Sequence, residues 1–401
     1  MAISLVGDGV YLVAIAWQVY ELSNTPTALG LVGVATMVPT VVLVLLGGVV
    51  TDRFERRRVL IAADLVRGAA VAGIGVLAIS GHLQLWHIFL LVACFGVGDA
   101  LFGPAFRALV PEIVPADQLV QANALEQMSR PFVRLVGPAV GGLLVKLLGP
   151  GPAFLCDAAS FGCSIAALLL LTPRPLEVKR ARTPTAALGD LVDGFRFVRS
   201  QAWLWGTLAL VLVINILGGV LYVLVPFIVK NKFHESAAGL GLLYACGAIG
   251  AVTGSLLLSQ LSLPRRHVTV MYALWSSASL MAAGYAIVVH FWQALLVAFG
   301  VGFGITGGNV IWGALVGMFV PREMIGRVTS VDWLFTLGLV PAAYAFVGPV
   351  SNAVGVSETF AAAGLLGAVL PLCFLLVIPA IRDTGLSRPA KRRLTPTTSG
   401  P

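Results

Sequence analysis

Six acidic residues and three arginines lie inside long apolar stretches of this chain. They are Asp8, Asp64, Asp99, Glu126, Asp157 and Asp332, with Arg67, Arg130 and Arg134. An ion placed in hydrocarbon costs several kcal/mol, so each must face a protein interior and have a partner or a task. The available tasks are to carry a proton, to hold a charged solute, or to exchange partners between two conformations. Asp8, set between Gly7 and Gly9, reads either as a proton carrier or as a polar residue of helix packing near the chain's start. Asp64 and Arg67 are three apart and can neutralise each other on one helical face. Glu126, Arg130 and Arg134 form a row at i, i+4 and i+8, in which one arginine can pair with Glu126 and the deeper Arg134 is left for a substrate or coupling contact.

A second group surrounds a short basic segment, Gly48 to Arg58. Gly48 allows two helix backbones to approach closely. Asp52 stands where it can accept from a neighbouring helix terminus. Arg53, Arg56 and Arg57 can pair with acids across an interface, so the segment reads either as a conformational latch or as a basic loop that sets topology. Asp99 and Arg107, eight apart, share a face and suggest a gating network, with Asp99 also a candidate partner for Arg56. Asp332, beside Trp333, is expected to meet the same arginines.

Several chemistries lack their residues. The five histidines, His82, His87, His234, His267 and His290, do not cluster, and there is no G-x-S-x-G, so an embedded enzyme is not expected. Cys94, Cys156, Cys163, Cys246 and Cys373 all sit in apolar blocks with no metal-ligand spacing and read as small packing residues. No metal or other cofactor is expected. The Gly300–Gly304 run follows no strand and no Gly-Lys-Ser/Thr occurs, so pumping must draw on an ion gradient rather than on ATP.

The elements that position these residues are set by composition. Hydrophobic residues make up 58% of the 401 and charged ones 11%, against about 25% charged in a soluble domain. The apolar residues come in blocks of about twenty, the length needed to cross the bilayer as helix. Twelve such blocks run from Ile3–Tyr20 to Thr359–Ile381, the eleventh being Val328–Ala353. The first begins almost at Met1, lacks a basic leader and a cleavage site, and is expected to be shortened at its start. With the amino terminus in the cytoplasm, 20 basic residues fall on the inner side and three, Lys146, Lys230 and Lys232, on the outer. The remaining three are the arginines within spans. This asymmetry predicts both termini inside and explains the net charge of +8 without nucleic acid.

The longest hydrophilic stretch divides the blocks six and six. The expected organisation is a first bundle over residues 1–171, a cytoplasmic linker over 172–201, a second bundle over 202–381 and a disordered cytoplasmic tail over 382–401. In the linker Leu188, Leu191, Val192, Phe195 and Val198 recur at helical spacing, which predicts an amphipathic helix on the membrane surface. Val114-Pro115 and Val320-Pro321 precede the fifth and eleventh blocks, each followed by an acid and later by Gly-Pro, a degenerate repeat between the halves.

The Gly48–Arg58 segment resembles the signature loop of the major facilitator superfamily, with Gly48, Asp52, Arg53, Arg56 and Arg57 matching and Glu55 in place of a glycine. Leu109-Val110-Pro111, Gln121 to Leu125, Leu135 to Pro138 with Gly141-Gly142, Phe154 to Phe161 and Gly326 to Ser330 resemble the branch of drug:proton antiporters that holds macrolide efflux proteins and enterobactin-type exporters. The resemblance implies an all-α fold of twelve transmembrane helices in two pseudo-symmetric six-helix bundles. It also implies efflux coupled to proton entry, a first and fifth helix lining the cavity, and a structural Asp157. Importing or uniporting a metabolite, or sensing without flux, are the alternatives. The expected partners are a small amphipathic substrate, protons and the lipid of the cell membrane, with the protein acting as a monomer.

Overall fold

The computed structural model describes residues 2–171, 184–261 and 266–377, without the side chains of residues 2, 3, 44–53, 116, 120, 123–132 and 184–188. The expectations for Gly48, Asp52, Arg53, Glu126 and Arg130 therefore concern side chains outside the described residues, and the expected tail lies wholly outside them.

The described chain folds as helices alone. The first six are α1 (Ala2–Leu22), α2 (Pro26–Arg53), α3 (Arg56–Ile79), α4 (Leu85–Ile113), α5 (Leu119–Leu148) and α6 (Pro150–Leu170). A shorter helix, α7 (Pro184–Ser200), leads into α8 (Ala202–Asn231), α9 (Ala237–Gln260), α10 (His267–Ala283) and α11 (Phe291–Phe319). The last three are α12 (Arg322–Leu337), α13 (Val340–Val354) and α14 (Val356–Val377). Among the described residues, nine stretches are long and apolar enough to span a membrane, one of them running through α12 and α13 together. Adding α1, α5 and α10, and setting the shorter α7 apart, gives twelve rods among the described residues. Their outward sides are apolar, as Leu170, Leu376 and Val377 illustrate, each more than two-thirds exposed.

Helix ends follow the local chemistry. Pro26 and Pro150 open α2 and α6, where a missing amide leaves no bond unmade. Gly149 and Gly355, at φ of +85° and +104°, turn the chain between adjacent antiparallel rods. The eleventh block, expected to be one helix over Val328–Ala353, is two. It breaks at Gly338-Leu339, because Pro341, in the first turn of α13, has no amide to continue the ladder of α12.

Helices α1 to α6 pack among themselves, as do α8 to α14. The halves meet chiefly through α5 on α9 and α2 on α13. One end of the molecule carries Arg56, Arg57, Arg58, Arg107, Arg266, Arg322 and Arg327 and is here called the basic end. Away from it, a single apolar core runs through both halves, from Ile15 and Tyr20 of α1 to Val223 and Ile228 of α8 and Leu240 of α9. Toward the basic end the core divides. Leu60, Ala105 and Leu109 form one cluster in the first half, and Leu204, Tyr272 and Val328 belong to a separate cluster in the second.

Candidate functional site

The sealed end is built by small residues and short polar links. A Cβ on Gly142 of α5 would stand 3.0 Å from the Cα of Gly241 on α9, so two glycines let these helices touch. The Tyr20 hydroxyl donates to the carbonyl of Val223 at 2.6 Å. Asn24 and Asn231 exchange hydrogen bonds at 2.7 and 3.1 Å, and Asn352 donates to the Thr27 hydroxyl at 3.2 Å. Lys230 donates to the carbonyl of Tyr20. Lys232, just past α8, donates to the carbonyls of Tyr285 and Ala286 at 3.3 and 3.4 Å, and partial burial lowers its ammonium pKa. At the basic end Arg107 reaches from α4 toward α12, its guanidinium carbon 5.8 Å from the centre of the Trp333 ring. The molecule is thus closed at one end and parted at the other.

The second half holds a cavity of about 510 Å³, lined by residues of α8 and of α10 to α14. Asn215 of α8, Trp275 of α10, Asn309 and Trp312 of α11, and Asp332 and Trp333 of α12 contribute its polar and aromatic wall, with aliphatic side chains between them. The Trp312 indole nitrogen donates to a carboxylate oxygen of Asp332 at 3.3 Å. Asp332 is the only charged side chain on this wall among the described residues. Of the arginines expected to meet Asp332, Arg56 and Arg57 have described side chains. They bond to Glu112 and to the carbonyls of Leu168 and Leu169, so the expected pairing of Asp332 with these two is not formed in this conformation.

The first half buries a charge cluster instead. Arg67 is 2% exposed and forms an ion pair with the fully buried Asp64, as the i, i+3 spacing predicts. The other oxygen of Asp64 accepts from Ser164 on α6 at 2.7 Å. The guanidinium lies between the rings of Phe102 and Phe161, 4.1 and 4.8 Å from their centroids. Its Nη1 is 3.9 Å from Asp99. Asp99 therefore faces Arg67 and does not serve Arg56. The latter pairs with Glu112, for a geometric reason. Arg56 opens α3 at the basic end and Glu112 closes α4 there, whereas Asp99 is thirteen residues further along α4, roughly 20 Å away at 1.5 Å per residue. Arg107 likewise does not meet Asp99. Arg57 donates to the carbonyls of Leu168 and Leu169 at 2.7 Å, tying the start of α3 to the end of α6.

Asp8 has one buried oxygen with no partner among the described residues. Asp157 on α6, expected to be structural, lies against α1 beside it and is 1% exposed. Arg134 is exposed. On the other face of the second half, Arg327 joins Asp190 of α7 at 2.8 Å and Asp193 at 3.5 Å, holding that helix against α12. Sequence reasoning missed Glu112, Trp312 and the two cavity asparagines. The single signal for Glu112 was its place one turn from the end of an apolar block, opposite the arginines.

A family profile described as transmembrane secretion effector matches residues 1–392. The multidrug efflux pump Tap of Mycobacterium tuberculosis strain H37Rv is 26% identical over 400 residues, 95% of this chain and 92% of that protein. The enterobactin exporter EntS of Salmonella typhi is 28% identical over 331 residues, 82% of this chain and 78% of that one. Among solved structures, the inward-open xylose transporter XylE from E. coli superposes with a TM-score of 0.67 at 14% identity, over 94% of this chain and 95% of that one.

Proposed function

The chain belongs to the transmembrane secretion effector family of the major facilitator superfamily, and from that premise we propose that it exports a small amphipathic organic molecule by alternating access in exchange for protons. The observation that carries this reading is the divided core. One continuous apolar seam joins the halves at one end, while toward the other end their cores are separate and the second half carries a cavity of about 510 Å³. Rocking the halves about the seam exposes the cavity to either side of the membrane in turn. Export by Tap and EntS, at 26% and 28% identity, supports the outward direction.

The basic end faces the cytoplasm in this proposal, since arginine-rich ends resist translocation. The two bundles, residues 1–171 and 202–381, are then the moving bodies, with 172–201 as an inner-surface linker and 382–401 as a cytoplasmic tail. Asp8, Glu126, Arg130 and Arg134 are the candidates for coupling or substrate contact. Gly48, Asp52, Arg53, Arg56, Arg57, Asp99, Arg107 and Asp332 are the candidates for gating, and Asp332 also stands on the substrate wall. The protein acts as a monomer in the cell membrane and catalyses no covalent change.

The test is accumulation of a fluorescent lipophilic dye in inverted membrane vesicles carrying the protein. Accumulation driven by respiration and abolished by a protonophore is the expected result. Accumulation that ignores the protonophore removes proton coupling, and no accumulation across a panel of dyes removes export.

A further inference from the structure

Among its described side chains, the N-terminal half gathers more acid around Arg67 than one guanidinium can balance: Asp64 and Asp157 are buried, Asp8 is half-buried and Asp99 is exposed. Among the described residues, Asp8, Asp64, Asp99 and Asp157 surround one guanidinium, that of Arg67. Arg67 is committed to Asp64 and turned toward Asp99. Asp8 and Asp157 are left without an ion-pair partner among the described residues, and each has a buried oxygen that makes no hydrogen bond there. These two oxygens come from different helices that are in contact.

The contact is unusually close. Asp157 and Ser160 of α6 press on the backbone of α1 at Gly7, where a Cβ would lie 2.5 Å from the Ser160 hydroxyl oxygen. Two residues on, Gly9 meets α5, and a Cβ there would be 2.6 Å from the Cα of Gly137. Asp8 is therefore carried by a Gly-Asp-Gly segment held between α6 and α5. Ser160 donates to one oxygen of Asp157 at 3.3 Å, which leaves the other oxygen free. Tyr11, one turn along α1, stacks on Phe95 at 4.7 Å and stands edge-on to Phe154, closing the apolar side of the site.

We propose that Asp157 and Asp8 form a paired carboxylate site that carries the coupling proton, with Ser160 as the residue that positions Asp157. The proposal rests on the proton-coupled reading above and adds a second acid to it. Two acids on helices in contact, with the neighbouring guanidinium already committed to Asp64, hold one proton more readily than two charges. Loading forms one O–H bond with a proton taken from water on one side, and release returns that proton to water on the other. No other bond changes. Among the described residues, the charged or titratable groups facing Asp157 are Asp8 and Tyr11 from α1 and Arg67 from α3, with Asp64 and Asp99 behind the guanidinium. On α5, which also touches α6, Arg134 is exposed. Because Asp8 sits between two glycine contacts, its change of charge alters the seat of α1 between α5 and α6, the helices that bring the proton signal to the α5–α9 seam.

The experiment reads the proton directly, so it needs no substrate. The full-length protein is reconstituted in lipid and followed by infrared difference spectroscopy on acidification. Wild type is expected to gain the band of a protonated carboxyl group, and Asp157→Asn and Asp8→Asn are each expected to lose or shift that same band. An unchanged band in Asp157→Asn overturns the proposal. If Asp157→Asn does not yield folded protein, Ser160→Ala decides. The midpoint pH of the band moves by roughly half a unit or more where the hydroxyl positions the pair, and an unmoved midpoint overturns the proposal. A band that behaves as expected in protein whose dye export ignores the proton gradient leaves the pair standing and removes the antiport reading instead.

Discussion

The Arg107 guanidinium of α4 stands 5.8 Å from the centre of the Trp333 ring of α12, bridging the two halves at the end where their cores are parted. Trp333 is next in sequence to Asp332, which lines the cavity. In the alternating cycle proposed above, closing the basic end would bring α4 and α12 together and carry this arginine from an aromatic face to a carboxylate. Partners that differ between two conformations are what give a gate two stable positions.

Removing that bridge should change rate more than affinity. Arg107→Ala and Trp333→Ala are each expected to lower dye export two- to fivefold with little change in the half-saturating dye concentration. An exposed cation–π contact contributes about 0.5–1 kcal/mol. The double variant should be no slower than the worse single one. Independent, multiplying losses in the double-variant cycle would show that the two side chains act separately.

The seam at the opposite end should be breakable by volume alone. A Cβ on Gly142 would lie 2.6 Å from the carbonyl oxygen of Ala237, on a helix backbone that cannot yield. Gly142→Leu therefore forces α5 from α9, an overpacking cost of about 1–3 kcal/mol. A cysteine placed at Asn24, whose amide joins Asn231 across the seam, should then react several times faster with a membrane-impermeant maleimide. Equal reaction rates in the two backgrounds would mean that the seam does not control access.

The Asp64–Arg67 pair is the most deeply buried ion pair among the described residues, at 0% and 2% exposure. Arg67→Met leaves Asp64 without its cation, a change that typically costs about 3–5 kcal/mol. The expected result is a large drop in thermal stability in detergent. Adding Asp64→Leu should recover most of it, since an apolar pair of similar volume needs no partner. A double variant as unstable as the single one would argue that Ser164, which donates to Asp64, is the greater dependence.

The sequence made this pair visible because its spacing is local. Three residues on one helix fix a distance, and no tertiary knowledge is needed. The same holds for the apolar blocks and for the Pro341 that interrupts one of them, although the break itself was not anticipated. Contacts between helices were a different matter. Asp99 was matched with Arg56 and Arg107 on charge and face, but the depth of each residue along its rod decides such pairings, and Glu112 is the acid at the depth of Arg56. Asp157 read as structural because nothing in the sequence places it against Gly7. Only the packing of α6 on α1 does that. The cavity wall draws on six helices, and its aromatic and amide residues carry no mark that separates them from ordinary packing residues.

The cavity wall itself predicts a charge preference. Asp332 supplies one negative charge and no described basic side chain on the wall balances it. Its one hydrogen bond from Trp312 is long, at 3.3 Å, and leaves the carboxylate available. Trp275, Trp312 and Trp333 lie on the same wall, and a cation over an indole face is attracted by the ring quadrupole. A bulky organic cation thus finds both a counter-charge and polarisable walls, while an anion of the same size meets repulsion. Titration of tryptophan fluorescence with tetraphenylphosphonium, and with an uncharged analogue of similar shape, separates the two contributions. Asp332→Asn is expected to weaken the cation about tenfold, equivalent to about 1.4 kcal/mol, and the neutral analogue less than twofold. Replacing Trp312 by Phe should weaken both, since it removes ring area shared by either ligand. If Asp332→Asn weakens cation and neutral analogue alike, the carboxylate acts through the shape of the wall, and the preference assigned to its charge is wrong.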